Sequence, residues 1–504
     1  MIPQQINKNI TKGIENLNAK ICFYIVIGIF IIANSIAIIS NSYIICLIPI
    51  ALIVLYVYFY SFDKIIYLII FFTPLSVQLS NYLEESNIDI SIPTEILLPG
   101  VFLIFILKLL IGERIDKKIS QHPISILIYF YLGWMFITSL TSTMPIVSLK
   151  YFLARAWFIV TFYFLTVQIL KSEKKIKLIL WLYILPFSAV IIYTIIHHLE
   201  FGLFDQKASN FVMNPFYKDH TSYGAILAFY IPVIFAFLFQ KGYKYHYKSF
   251  FIPLIMLFLV GLVLSYTRAA WLSVFFITGI FLILLFRIKL RTLLVFGLMI
   301  ILFVLFNWEQ LFIEVSRNKQ DSSVDMVQHL KSVTNIRSDD SNLERINRWN
   351  SAFRMFEEKP LIGWGPGTYQ FIYARFQLSK DKSLITTNAG DRGNAHSEYF
   401  GPLAEQGAFG SLTFILVAFY SLIVGFRVYR HAKSKDLRNL SLSLTLGIIT
   451  YLLHSFLNNF LDTDKASAPF WGFIAILVAI DIYHKQGEVK QETLEQEKLK
   501  ELPI

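Results

Sequence analysis

Arg268 stands where two long apolar runs meet, in Leu264-Ser265-Tyr266-Thr267-Arg268-Ala269-Ala270-Trp271. Ionisable groups at bilayer depth are expensive and usually mark a site. Its guanidinium suits paired contacts to phosphate oxygens, and a helix starting there would aim unsatisfied N–H groups and a partial positive charge at the same place. Arg345, four residues before Trp349 on a stretch with helical spacing, offers a second cation. His396, within Asn394-Ala395-His396-Ser397-Glu398-Tyr399, brings an imidazole whose ordinary pKa lies close to working pH, as a general base requires. Two cations and a base beside apolar runs read as a membrane enzyme with its chemistry at one face of the bilayer. Each residue also has a plainer reading: Arg268 as an anchor that snorkels to the interface, Arg345 as a solvated helix residue, His396 as a helix cap.

Further candidates surround this set. Arg155 lies several residues inside an apolar run, where a charge needs a partner or a wet cavity, so substrate contact and structural pairing both stay open. Asp219 and His220 precede another run as substrate contacts or a helix cap, and Trp349, Gly365 and Tyr399 are candidate substrate contacts. His454 and Asp462 are read as sugar contacts or as polar packing between helices, and Arg348 and Arg354 as solvated. No residue pattern calls for a metal or a cofactor. Cys22 and Cys46 both fall inside expected helices and form no disulfide framework.

The elements that must position these residues are membrane helices. A chain of 504 residues with 56% hydrophobic and 16% aromatic content and mean hydropathy +0.57 cannot be a soluble globule. Apolar stretches long enough to cross hydrocarbon recur near 21–39, 43–60, 65–79, 95–111, 123–141, 149–170, 178–197, 221–240, 250–266, 269–286, 292–306, 409–426, 439–460 and 467–483. The fold class is therefore an all-α polytopic membrane protein with about 12–14 spans. It divides into a bundle over 1–306, a long polar loop domain over 307–405, C-terminal spans over 406–484 and a tail over 485–504.

Basic residues set the orientation, because Lys and Arg flanking spans stay on the cytoplasmic side. They cluster in alternate loops: Arg114/Lys117/Lys118, Lys171/Lys174/Lys175/Lys177, Lys241/Lys244/Lys248, Arg287/Lys289/Arg291 and Arg427/Arg430/Lys433/Lys435/Arg438. The segment 80–94 carries Glu84, Glu85 and Asp89 with no Lys or Arg, and 142–148 is uncharged. Both termini then face the cytoplasm and 307–405 faces outward. The net charge of +11 sits mostly in cytoplasmic loops, while 307–405 holds 12 Lys/Arg against 13 Asp/Glu, which excludes a nucleic-acid patch there. The first apolar run lacks a cleavage site and reads as an anchor.

Within the outer segment, Ser341-Asn342-Leu343-Glu344 has capping-box spacing, and Leu343, Ile346, Trp349, Phe353 and Phe356 follow at helical intervals, predicting an amphipathic helix over 342–358. A turn-rich element, Pro360 to Tyr369, comes next. Residues 377–393 read as polar and mobile, and a short helix over 396–406 leads through Gly407 and Gly410 into the next span.

These residues resemble the O-antigen ligase and polymerase superfamily of bacterial envelope glycosyltransferases. The resemblance rests on Ser265 to Trp271, then Arg345-Ile346-Asn347-Arg348-Trp349, then Lys359 to Gly367, then His396 to Gly410, in matching order over roughly 250–425. Ser397 stands where many relatives have Asn. The resemblance implies an inner-membrane enzyme with its site on the periplasmic side. Its donor would be a polyprenyl-diphosphate-linked glycan (undecaprenyl diphosphate), and its acceptor a hydroxyl of lipid A-core or of another glycan. Transfer would be inverting and metal-independent. Arg268 and Arg345 would face the departing diphosphate and His396 the incoming hydroxyl, with lipids as the other partner and no nucleic acid.

Ligase is favoured over polymerase because one large external loop carries the Gly-rich turn with the His396 element close behind. A protein-glycosylating relative ranks lower. A lipid-linked-sugar flippase is the rival from another class, but transporters show repeated halves and interrupted midplane helices, whereas here the singular residues gather at one face. A purely structural membrane protein leaves Arg268, Arg345 and His396 unexplained.

Overall fold

The computed structural model describes residues 27–40, 61–79, 90–240, 245–289, 340–382 and 393–485, with isolated positions between them. Two compact units divide after Ile66. The first carries the apolar helix Ile27–Ile39. Along the chain then follow α1 (Phe62–Phe72), α2 (Thr94–Leu110), α3 (Pro123–Leu140), α4 (Pro145–Ile169), α5 (Glu173–Phe201), α6 (His220–Leu238), α7 (Tyr245–Leu264), α8 (Arg268–Leu285), α9 (Asp340–Glu358), α10 (Phe400–His431), α11 (Lys435–His454) and α12 (Asp464–Tyr483). Among the described residues seven of these, α3 to α6, α8, α10 and α12, are long and apolar enough to cross a bilayer. The chain is an all-α polytopic membrane protein. Most of the expected spans 43–60 and 292–306, the loop portion 307–339, the tail beyond Lys485, and Cys22 and Cys46 lie outside the described residues.

Local chemistry starts the helices where the sequence permits. Proline occupies the first position of α3 and α4, where its missing N–H costs nothing. Ser172, Asp219 and Ser434 cap α5, α6 and α11 by accepting from Lys175, Ser222 and Leu437 N–H. The amphipathic helix expected over 342–358 is α9, and it packs on α10. A departure from the expected pattern is a pair of two-residue antiparallel strands, β1 (Val77–Gln78) against β2 (Ser91–Ile92), too short to announce themselves. Another is a π-helical turn, Val160–Leu165, inside α4.

α12 runs through the centre of the second unit, with 83% of its apolar window buried, whereas α8, at 17%, presents most of its surface outward. At one end of α12, Asp464 accepts from Ser76 Oγ (2.7 Å) and Thr94 Oγ1. At the other, Asp481 meets His122 (3.3 Å) and Arg427, and the His484 carbonyl accepts from Lys433 N–H (3.0 Å). With a rise of about 1.5 Å per residue, these two ends are about 26 Å apart, close to the thickness of a hydrocarbon core. The basic turn 427–438 thus gathers at the end remote from Asp464.

The second half of the chain is fastened by a docked turn. Pro360 to Gly365 runs along the start of α10: Trp364 N–H donates to Ala404 O (3.2 Å), Gly365 N–H to Glu405 O (2.7 Å) and Ala408 N–H to Pro360 O (2.9 Å). α10 breaks at Gly407, whose φ of 69° and close approach to the Leu361 carbonyl leave no room for a Cβ. The short helix expected to lead through Gly407 into a span is therefore the first turns of α10.

Candidate active site

Tyr266 turns the chain between α7 and α8 with a left-handed backbone, φ 50°. Its hydroxyl donates to Phe204 O (2.9 Å), and Thr267 Oγ1 donates to His220 O (2.8 Å). α6 approaches so closely that a Cβ on Gly224 would stand 2.6 Å from Thr267 Oγ1. The joint is thus fixed from two sides, and Arg268 follows it as the first residue of α8, half-buried. Asp219 is a cap in the geometric sense, its Oδ1 accepting from Ser222 N–H (2.8 Å) and Thr221 Oγ1 (2.5 Å).

His396 is half-buried and sits in a left-handed conformation, φ 49°, with its N–H donating to Asn394 Oδ1 (3.1 Å). Burial, with the positive charges of Arg345 and Arg348, pushes its imidazole down to about 3, and Asp219 partly opposes them. The ring is consequently neutral at physiological pH and keeps a lone pair. Arg345, Asp219 and His220 also act electrostatically on His454, at the end of α11. The structure therefore brings together Arg345, His396, Asp219, His220 and His454, and ties the turn bearing Arg268 to His220.

Arg155 belongs to a separate cluster. Almost fully buried, it donates to Asp462 Oδ1 (2.7 Å), Tyr151 Oη (2.8 Å) and Leu461 O (2.9 Å). Glu398, two residues beyond His396, reaches the same turn by accepting from Leu461 N–H (2.8 Å) and Tyr451 Oη (2.8 Å), and burial pushes its carboxyl up to about 7. Glu405 Oε1 accepts from Tyr369 N–H (2.9 Å) and so holds the Gly-rich turn. Gly365 lies in that turn against Ser142 and Ser148. Trp349 packs its ring on Phe400 (5.3 Å), and Tyr399 Oη donates to Leu452 O (2.9 Å).

The reading of Arg348 and Arg354 as solvated is corrected. Arg348 is 4% exposed, paired with Glu344 (2.8 Å) and set over the Tyr373 ring (4.6 Å). Arg354 pairs with Asp381 and donates to Phe376 O (2.7 Å). The polar face of α9 is covered by 369–381 and 393–394, which hydropathy could not foretell; the Glu344/Arg348 spacing of four was the available signal.

Residues 253–415 match the family model described as O-antigen ligase. The match supports the O-antigen ligase/polymerase superfamily for this part of the chain. None of the curated proteins compared matches it. The O-antigen ligase match holds the Arg268 joint, α9, the docked turn and His396, and ends inside α10. Arg155, Asp219, His220, His454 and Asp462 lie outside it; Asp219, His220 and His454 reach the His396 region by tertiary packing, and Arg155 with Asp462 forms the separate cluster whose turn Glu398 meets. The chain is accordingly a multi-pass membrane protein, and the match supports a function of ligase or polymerase type, which in general takes a lipid-linked glycan donor and a glycan acceptor.

Proposed function

We propose that this protein moves a glycan from undecaprenyl diphosphate to a hydroxyl of lipid A-core at the periplasmic face of the inner membrane. The observation that carries the reading is the convergence of Arg345 and His396 beside the segment whose His220 carbonyl holds the Arg268 joint. The acceptor oxygen attacks the anomeric carbon from the face opposite the diphosphate, the bond to the diphosphate oxygen breaks, and the configuration inverts. Polyprenyl diphosphate leaves with the bonding electrons, and the hydroxyl proton passes to His396. The diphosphate ester already carries the activation, so no nucleotide is needed, and arginine charge takes the place a metal cation would fill.

The depressed basicity of His396 fits this order of events. Its neighbouring arginines disfavour the imidazolium until a polyanionic donor offsets their charge. Donor binding then strengthens the base when the acceptor is in reach.

Deleting the gene tests the assignment. Core lipopolysaccharide should be left bare while polymerised glycan accumulates on the carrier, seen on a gel beside the lipid-linked pool. Core bearing a single repeat would instead identify a polymerase. Normal glycans in both fractions, with no second copy of the gene, would remove the glycan-transfer reading.

A further inference from the structure

One buried arginine in the outer segment acts on His396 by its charge and touches none of the reacting groups above. Arg348 lies a turn beyond Arg345 on α9, with its Nε on Glu344 Oε1 (2.8 Å), its guanidinium over the Tyr373 ring and its own carbonyl accepting from Tyr369 Oη (2.7 Å). Glu344 is held in turn by Thr386 Oγ1 (2.5 Å). Such a clamped guanidinium has a fixed direction. Its Nη1 donates to Asn394 O (3.2 Å) and lies so close to Gly393 that a Cβ there would overlap it. Asn394 in turn accepts the His396 N–H, across which the backbone adopts its left-handed conformation.

We propose that Arg348 is a positioning residue for His396: the clamped guanidinium fixes the Gly393–Asn394 backbone, and Asn394 fixes the imidazole's place in the site. The assignment rests on the reading of His396 as the base. A left-handed non-glycine residue costs about 1–3 kcal/mol and persists only where its surroundings over-determine it, and this hydrogen-bonded chain is such a surrounding. Glycine at 393 follows from the same contact. Lysine would keep the charge but could not bridge Glu344 and Asn394 from one planar fork.

Full-length protein in nanodiscs, treated with diethyl pyrocarbonate and read by peptide mass spectrometry, reports the neutral fraction of His396 against pH without any substrate. His396 is faced by Arg345 and Arg348 from α9 and by Asp219 from the segment before α6. Arg348→Gln should move the midpoint of modification up by about one pH unit, since a repelling charge is gone, and lower glycan transfer in complemented cells by about 10–100-fold. Arg348→Lys should keep the midpoint and still lose about tenfold in transfer. Gly393→Ala should lower transfer in the wild-type background and add little in Arg348→Ala, because the clash needs the guanidinium. Wild-type profile and transfer in Arg348→Gln overturns the proposal. Should that variant not accumulate, wild-type transfer by Arg348→Lys overturns it equally. An active His396→Ala would sink the reading of the base instead, while the modification profile still reports whether Arg348 sets the imidazole.

Discussion

His396 and Arg268 carry the sharpest expectations at the residue scale. Arg268→Ala and His396→Ala should each lower glycan transfer by at least about 100-fold while membrane abundance stays near wild type, because on the proposed mechanism each removes a transition-state contact. Glycan gels beside an immunoblot of the membrane fraction make the comparison, and wild-type transfer by an abundant variant would end that residue's assigned role. The pH dependence has a definite sign. Burial and two arginines hold the imidazole down to about 3, so it stays unprotonated far below its ordinary value near 6.5, and with His396 as the proposed base the acid limb of kcat/KM should lie well under pH 6. Arg345→Gln removes one repelling charge and should move that limb to higher pH. A limb that stays in place when Arg345 is neutralised would show that its charge does not reach His396.

At the scale of elements, the Gly-rich turn and the break in α10 act as one joint. Gly363, φ 65°, abuts the Glu405 backbone, and Gly407, φ 69°, abuts the Leu361 carbonyl. Gly407→Ala should therefore destabilise the protein by about 1–3 kcal/mol from the backbone conformation alone, before any clash is counted. Gly279 offers the contrast: it lies within α8 with nothing near its missing Cβ, so Gly279→Ala should be neutral or stabilising by up to about 1 kcal/mol. Thermal unfolding of the two variants in detergent measures the difference, and equal midpoints would mean that the joint is not under this constraint. The loop segments that were legible as elements were those with periodicity, such as α9. The docking of 360–365 on 404–408 was not, because its bonds are between backbone groups that any sequence possesses.

For the whole molecule the expectation is topological. Lys382 belongs to the segment that covers α9, and Arg430 to the basic turn at the Asp481 end of α12. Reporter fusions after these two residues should give opposite compartment signals, periplasmic for the first and cytoplasmic for the second; matching signals would overturn the orientation. The physical ground is the retention of Lys and Arg inside, combined with a central helix whose two polar ends are about 26 Å apart.

The sequence by itself determined where the helices run, because hydrocarbon demands apolar stretches of a fixed length, and it singled out Arg268, Arg345 and His396, because charged and titratable groups beside such stretches are rare. It also carried the ordered motifs of the family. Tertiary structure alone decided the partners. Arg155 finds Asp462 across 307 residues, Glu398 finds Leu461 across 63, and Asp464 finds Ser76 across 388. Whether Arg348 faced water or Tyr373 depended on which segment came to lie over α9. Burial and pairing are properties of the packed chain, set by surfaces far apart in sequence, and no local pattern along one helix contains them.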